Sequence, residues 1–406
     1  MTSQSKPESL PKPAPRTGTK FAAVVLAALM AAPAAPLASA ADAPAPDAAQ
    51  AAAEPAGAEP AGAEPAAPAP AADDGTLSDE PNMVRGDEIT DEQKLAVEKG
   101  LAWLATRYGD GRQLDPALRG YGSNAGITAL AGLAFMQAGN LPGRGKYGKE
   151  VQRCLDFVLG ACQQSGLIAS DPGHGPMYGH GFAALFLAEV YGMTGNEEVK
   201  EKLQRAISLI QKTQNSEGGW RYQPAPYDAD ISVTICQVMA LRAARDAGIK
   251  VEKDVIDNSI AYVRACQNAD GGFSYMAQHR GAGGSGFPRS AAGVAALYYA
   301  GIFEGDEIER GLKYLRGFNP ARNRGRNDGH FYYGHYYAVQ AMFLAGGKNW
   351  AEWYPAIRDE LISQQDKGSG AWSGDFSEDY ATSMALIILQ MPNRYLPVYA
   401  GKGPGS

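Results

Sequence analysis

The chain has 406 residues with 37 basic and 44 acidic side chains, a formal net charge of −7. Four cysteines are too few for a disulfide scaffold, and a 45% hydrophobic composition excludes wholesale disorder. The acids crowd into residues 41–82, which leaves a near-neutral body without the cationic footprint that nucleic-acid binding needs.

Residues 1–40 read as an export signal. Lys6, Lys12, Arg16 and Lys20 precede an apolar run over 21–30, and small residues follow, ending in Ala38-Ser39-Ala40. Basic, apolar, small-x-small is the order of a cleaved secretory signal. The apolar run is too short to span a bilayer comfortably. Cleavage near Ala40 is therefore expected, giving an exported protein, periplasmic or extracellular, with no integral membrane span afterwards. Residues 41–82 read as a disordered linker. The pentad AEPAG recurs there, prolines block helix and sheet, and alanine is too small to offset the ordering entropy. Nine acids and no base make it a self-repelling acidic tether.

Residues 83–406 form the body, where two kinds of apolar segment alternate. One kind is charged and amphipathic: 91–107, 146–161, 197–213, 254–266, 306–316 and 350–363. The other is nearly uncharged: 124–138, 180–191, 231–243, 290–300, 334–345 and 381–391, with only Glu189 and Arg242 charged. A helix with a polar stripe lies at a surface and one apolar all round is buried, so the pattern predicts six outer helices alternating with six inner ones. Glycines 139, 192, 248, 301 and 346 follow the inner segments as C-caps would. Inner helices apolar on both faces favour closure into a double ring over an open solenoid or two bundles. The fold class expected is an all-α (α/α)6 toroid.

Outer segments run into a Gln–Gly–aromatic turn: Gln214 to Gly218-Gly219-Trp220, Gln267 to Gly271-Gly272-Phe273, and Gln364 to Gly370-Ala371-Trp372. Glycine permits the positive φ of a tight turn, the glutamine can bond free backbone groups at a helix end, and the ring can stack over it. With Arg205-Ala206 and Leu209-Ile210 ahead of the first, these turns resemble the QW motifs of terpenoid cyclases. The six-hairpin pattern over about 90–395 is similar to the α/α toroid shared by squalene and hopene cyclases and the β-subunits of protein prenyltransferases.

The starts of the inner segments carry the polar residues: Ser123, Asn124, Tyr178, His180, Asp228, Asp230, Arg289, His335, Glu378, Asp379 and Tyr380. In a double ring all of them face one end. Asp230 and Asp379 are ordinary helix caps in one reading. In the other, the resemblance extends to Asp228-Ala229-Asp230-Ile231-Ser232. Squalene–hopene cyclases follow the GGW turn with Asp-x-Asp-Asp-Thr, whose central acid protonates the polyene. Asp228 and Asp230 match the first two acids, while Ile231 replaces the third. The resemblance then implies Asp230 as general acid; Asp228 is placed to raise its pKa by like-charge repulsion, and His335 is a further catalytic candidate. The prenyltransferase resemblance implies instead zinc held by Asp230, His335 and a third ligand. Position 230 is not the cysteine of that family's Asp-x-Cys, and neither metal nor cofactor is expected. His180 and His335 read either as packed histidines or as cavity groups. The loops 279–289, with Arg280 and Arg289, and 320–330, with Arg322, Arg324 and Arg326, are solvated surface or a lid and anion clamp at the cavity mouth.

The sequence thus predicts an exported toroid whose central cavity binds a hydrophobic, isoprenoid-type molecule. His180, Arg289, Asp379 and Tyr380 would stand at the cavity mouth. The alternatives are a non-catalytic toroid that binds a protein or lipid partner, and an acid-initiated terpenoid cyclase-like isomerase acting through Asp230.

Overall fold

The computed structural model describes residues 88–109, 124–170, 175–322, 330–374 and 376–399. The expected signal and linker at 1–82 lie outside the described residues, as do Ser123 and most of the 320–330 loop. Among the described residues there are twelve α-helices and no strand. The outer helices are α1 (Asp91–Tyr108), α3 (Gly148–Gly160), α5 (Glu197–Lys212), α7 (Lys253–Cys266), α9 (Asp306–Arg316) and α11 (Gly347–Gln364). The inner helices are α2 (Ala125–Met136), α4 (Met177–Thr194), α6 (Ile231–Asp246), α8 (Phe287–Ala300), α10 (Phe331–Ala345) and α12 (Glu378–Leu389). Each inner helix packs on the next, and α12 returns to α2, so the ring closes. None of the described helices is long and apolar enough to cross a membrane.

Burial divides the two sets as the charge pattern requires. Every residue of α2 is buried, whereas α5 buries only Val199, Leu203, Ala206, Ile207 and Ile210, one stripe at helical spacing. Inner helices α4, α8, α10 and α12 each begin three residues before their apolar run. Their first turns are polar or glycine-containing because they form the rim of the ring. One expected cap moves: α4 continues through Gly192 to Thr194 and is capped by Gly195 at φ 66°.

The Gln–Gly–aromatic turns are the fasteners of the fold. Gln214 Nε2 donates to the carbonyls of Gly218 (2.9 Å) and Val255 (2.8 Å), tying α5 to α7. Gly218 has φ 96°, and a Cβ there would stand 2.1 Å from the Asn258 carbonyl oxygen, so only glycine fits. Trp220 Nε1 donates to the Ile210 carbonyl at 2.8 Å, and its backbone N–H bonds the Thr234 hydroxyl of α6. The same link from turn to inner helix runs from Phe273 to Ser290 and from Trp372 to Thr382. In the third turn the bonding residue is Gln365, whose Nε2 reaches the Ala96 and Gly370 carbonyls at 2.8 Å. Gln364 instead bonds Glu360 on the surface. The turn is one residue longer than the others, which moves the glutamine by one.

A fourth turn of this kind has no aromatic residue. Gly166 has φ 92°, and a Cβ there would lie 2.3 Å from the Arg205 carbonyl. Ile168 takes the aromatic position, and its N–H donates to His180 Nδ1 at 3.1 Å.

Candidate functional site

All six inner helices point their N-termini at one rim, and the sequence-predicted residues lie in or beside those first turns. Their side chains part company. Asp230 is the N-cap of α6: Oδ1 accepts from the N–H groups of Ser232 and Val233, both at 2.9 Å. Oδ2 is buried with no hydrogen-bond partner, and Arg221 Nε stands 3.8 Å away. Burial pushes this carboxyl up to about 7, against the opposing pull of the cap bonds, of Arg221 and of the Tyr275 hydroxyl. Asp228 does not cause that shift. Its side chain is half-exposed and bonded to Arg221, which takes up its charge.

Arg221 is the hinge of the arrangement. Its guanidinium lies over the rings of Tyr222 (5.1 Å) and Tyr275 (5.9 Å), whose hydroxyls bond one another. Backbone bonds fix both tyrosines to inner helices, Met177 N–H to the Tyr222 carbonyl at 3.1 Å and Ile231 N–H to the Tyr275 carbonyl at 3.0 Å. Tyr178 packs on Tyr222 with ring centroids 6.0 Å apart, and Tyr333 crosses from α10 to donate its hydroxyl to the Ser232 carbonyl at 2.9 Å. Tyr380 packs edge-on against Phe376, which is itself part-exposed. The result is a collar of tyrosine faces around a buried acid. Below it, Tyr337 bonds Cys236 at 3.2 Å. The Phe182 and Tyr336 rings meet at 5.9 Å from the opposed helices α4 and α10, filling the bore with aromatic side chains.

The other predicted residues serve the scaffold. His180 is a packed histidine in the position that Thr234, Ser290 and Thr382 hold in their repeats. It accepts the Ile168 N–H, and burial lowers its pKa to about 4. It points into the layer between the rings and not into the mouth. His335 lies in an aromatic box with Phe331, Phe287 and Trp353 at 4.5, 4.9 and 5.8 Å. Burial lowers its pKa to about 3, so it is neutral at ordinary pH and poorly suited to acid–base work there. Arg289 donates to the carbonyls of Phe273 (2.9 Å) and Gly284 (3.1 Å) and clamps its own loop rather than an anion. Asp379 is not a cap, since Ser377 caps α12. It receives a two-pronged bond from Arg107 at 2.9 and 3.1 Å that ties α1 to α12. Among the described residues no group of three or more His, Cys, Asp or Glu is placed to hold a metal ion.

Sequence reading missed Arg221, Tyr222, Tyr275 and Tyr333. A signal for two of them exists: Tyr222 and Tyr275 each stand two residues after a turn aromatic, Trp220 and Phe273.

Residues 183–357 match the family model of the squalene-hopene cyclase C-terminal domain. No curated protein matches the chain in sequence. Among solved structures, the type II terpene cyclase MstE from Scytonema is similar with a TM-score of 0.50 at 12% identity, over 76% of this chain and 100% of that one. An inactive variant of the α-1,6-mannanase GH76A of Salegentibacter sp. HEL1_6 gives 0.54 at 10% identity, over 74% and 99%. A D-mannose isomerase gives 0.53 at 13% identity, over 75% and 98%. At such identities the likeness is one of fold.

Proposed function

Since the chain carries the α/α toroid of the terpenoid cyclase-like superfamily, we propose that it is a ligand-binding member of that fold. Its site is the tyrosine-collared mouth at the N-terminal ends of the inner helices, and its ligand is a hydrophobic, isoprenoid-type molecule. The observation that carries this reading is the collar itself, with Tyr178, Tyr222, Tyr275 and Tyr333 set about a buried acid that burial keeps partly protonated near neutral pH. Concave apolar walls with a few fixed polar groups are the usual form of a small-molecule site.

Binding is favoured over catalysis because Asp230 is fully buried beneath Arg221 and the Tyr222–Tyr275 pair, out of a ligand's reach. The acid-initiated reading retains one supporting observation. Two backbone N–H groups on Oδ1 would stabilise the carboxylate left after Oδ2 gave up a proton. The two readings separate in one titration of the full chain with geranylgeraniol. Binding is expected, weakened about fivefold by Tyr178→Ala or Tyr333→Ala, since a ring contact contributes about 1 kcal/mol. The probe should be recovered unchanged. Cyclised product lost in Asp230→Asn would favour the enzyme, and an absence of binding would leave a toroid that takes a protein partner.

We also propose that the protein acts outside the cytoplasm after cleavage near Ala40, on the charge and small-residue order of residues 1–40. N-terminal sequencing of the exported form should begin near Ala41; an intact Met1 there would reject cleavage.

A further inference from the structure

The opposite rim of the ring is crossed by the chain itself. After α12 the backbone passes over the end of α2, where Asn393 Nδ2 donates to the Gln137 carbonyl at 3.0 Å. It then turns at Pro397–Tyr399 against α4 and α6. Val398 N–H donates to Glu189 Oε1 at 3.2 Å, while Glu189 Oε2 is buried with no hydrogen-bond partner. Leu396, Val398 and Tyr399 are all buried. The Tyr399 phenol faces that of Tyr336, yet neither hydroxyl has a hydrogen bond of acceptable geometry. Tyr336 is also the ring that meets Phe182 and closes the middle of the bore.

One buried carboxyl oxygen without a partner, Glu189 Oε2, and two phenols, Tyr336 and Tyr399, that meet only in a poorly aligned contact make a poor permanent seal. A well-optimised core would satisfy or omit them. Apolar packing nonetheless holds the segment in place.

We propose that residues 396–399 are a removable plug, and that the space Tyr399 vacates is a second subsite for the far end of a long apolar ligand entering from the tyrosine collar. Ligand and plug then compete, and Tyr336 swings away from Phe182 once Tyr399 leaves. This inference rests on the reading of the mouth as an isoprenoid-type site. It assigns that site a preference for chain length, because a ligand too short to pass Tyr336 gains nothing from displacing the plug.

Docking of the plug also follows pH. The groups facing Glu189 are Asp246 and Arg242 of α6, paired with each other at 2.6 Å, Tyr299 of α8, Tyr336 of α10 and Tyr399 of the plug. Burial raises the Glu189 carboxyl to about 8 from its ordinary 4.5, with Asp246 adding to the rise against the pull of the Val398 N–H. The docked form thus holds a proton that the undocked form releases. Docking is fully favoured below the ordinary pKa and weakens as pH rises through about 8.

Two measurements on the full chain test this. Hydrogen exchange at Val398 and Tyr399, corrected for intrinsic rates, should show opening at least tenfold greater at pH 9 than at pH 5. Glu189→Gln, which keeps the oxygen that accepts the Val398 N–H, should abolish that dependence. Titration with geraniol and geranylgeraniol should show Tyr399→Ala binding the longer alcohol at least tenfold more tightly, with the shorter one changed less than twofold. Saturating geranylgeraniol should also deprotect both amides in the unaltered protein. Binding that leaves them protected, or equal gains for both alcohols, overturns the subsite alone. Failure of both proteins to bind either alcohol overturns the mouth reading and the subsite with it.

Discussion

Replacing Trp220 by alanine should lower the free energy of unfolding by about 3–5 kcal/mol, the cost of a large aromatic cavity in a core. The indole is almost wholly buried, and its Nε1 bonds the last turn of α5 through Ile210. Its backbone N–H bonds Thr234 in the first turn of α6, so the ring fastens an outer helix to the next inner one. Gly219 leaves the space for this, since a Cβ there would lie 2.5 Å from Ala229 and 3.0 Å from the Thr234 hydroxyl. The effect should spread beyond packing. Ala229 and Asp230 follow the same turn, and Asp230 N–H bonds the Trp220 carbonyl at 3.0 Å, so loosening the turn loosens the collar. Denaturant unfolding read by circular dichroism checks this. A loss under about 1 kcal/mol would mean that the turn is ornamental, against the usual cost of such cavities.

Asp230→Asn should change the pH dependence of stability more than its magnitude at low pH. The native carboxyl titrates near 7 and the ordinary one at 3.8. Folding therefore takes up a proton, and the contribution is fully present below 3.8 and lost as pH rises through 7. The full span is about 4 kcal/mol at 1.36 kcal/mol per unit. Asparagine caps a helix about as well as aspartate, so the variant keeps the cap while losing the titration. His180 and His335 act in the opposite sense. Both have native values below the ordinary 6.5, so their contribution is present above 6.5 and lost as pH falls through about 4 and 3. The comparison of variant with parent, from pH 4 to pH 8, cancels the histidines and isolates Asp230. The variant should gain on the parent steadily across that range. Parallel curves would show that Asp230 is already ionised in the folded protein.

The ring was legible because burial on two faces leaves a mark in composition. Only Glu189 and Arg242 are charged in the six inner segments, and nothing but a second layer on each side removes charge so completely. The turns were legible because their glycines admit no substitute. The site was legible in place and not in orientation. A residue in a helix's first turn can point across the bore or back between the rings, and sequence spacing alone does not distinguish the two when both sides are apolar. His180 and His335 point back while Tyr178 and Tyr333 belong to the mouth. Asp228 differs for a related reason: adjacency in sequence points it at Asp230, but Arg221, seven residues earlier, pairs with it.

The central claim is that a hydrophobic molecule sits at the tyrosine collar. Its most direct test is photo-crosslinking with a diazirine-bearing geranylgeranyl alcohol, followed by peptide mapping of the full chain. The account predicts adducts on Tyr178, Tyr222, Tyr275 or Tyr333, suppressed by excess geranylgeraniol. Adducts confined to the outer helices, or labelling that excess geranylgeraniol leaves unchanged, would contradict it.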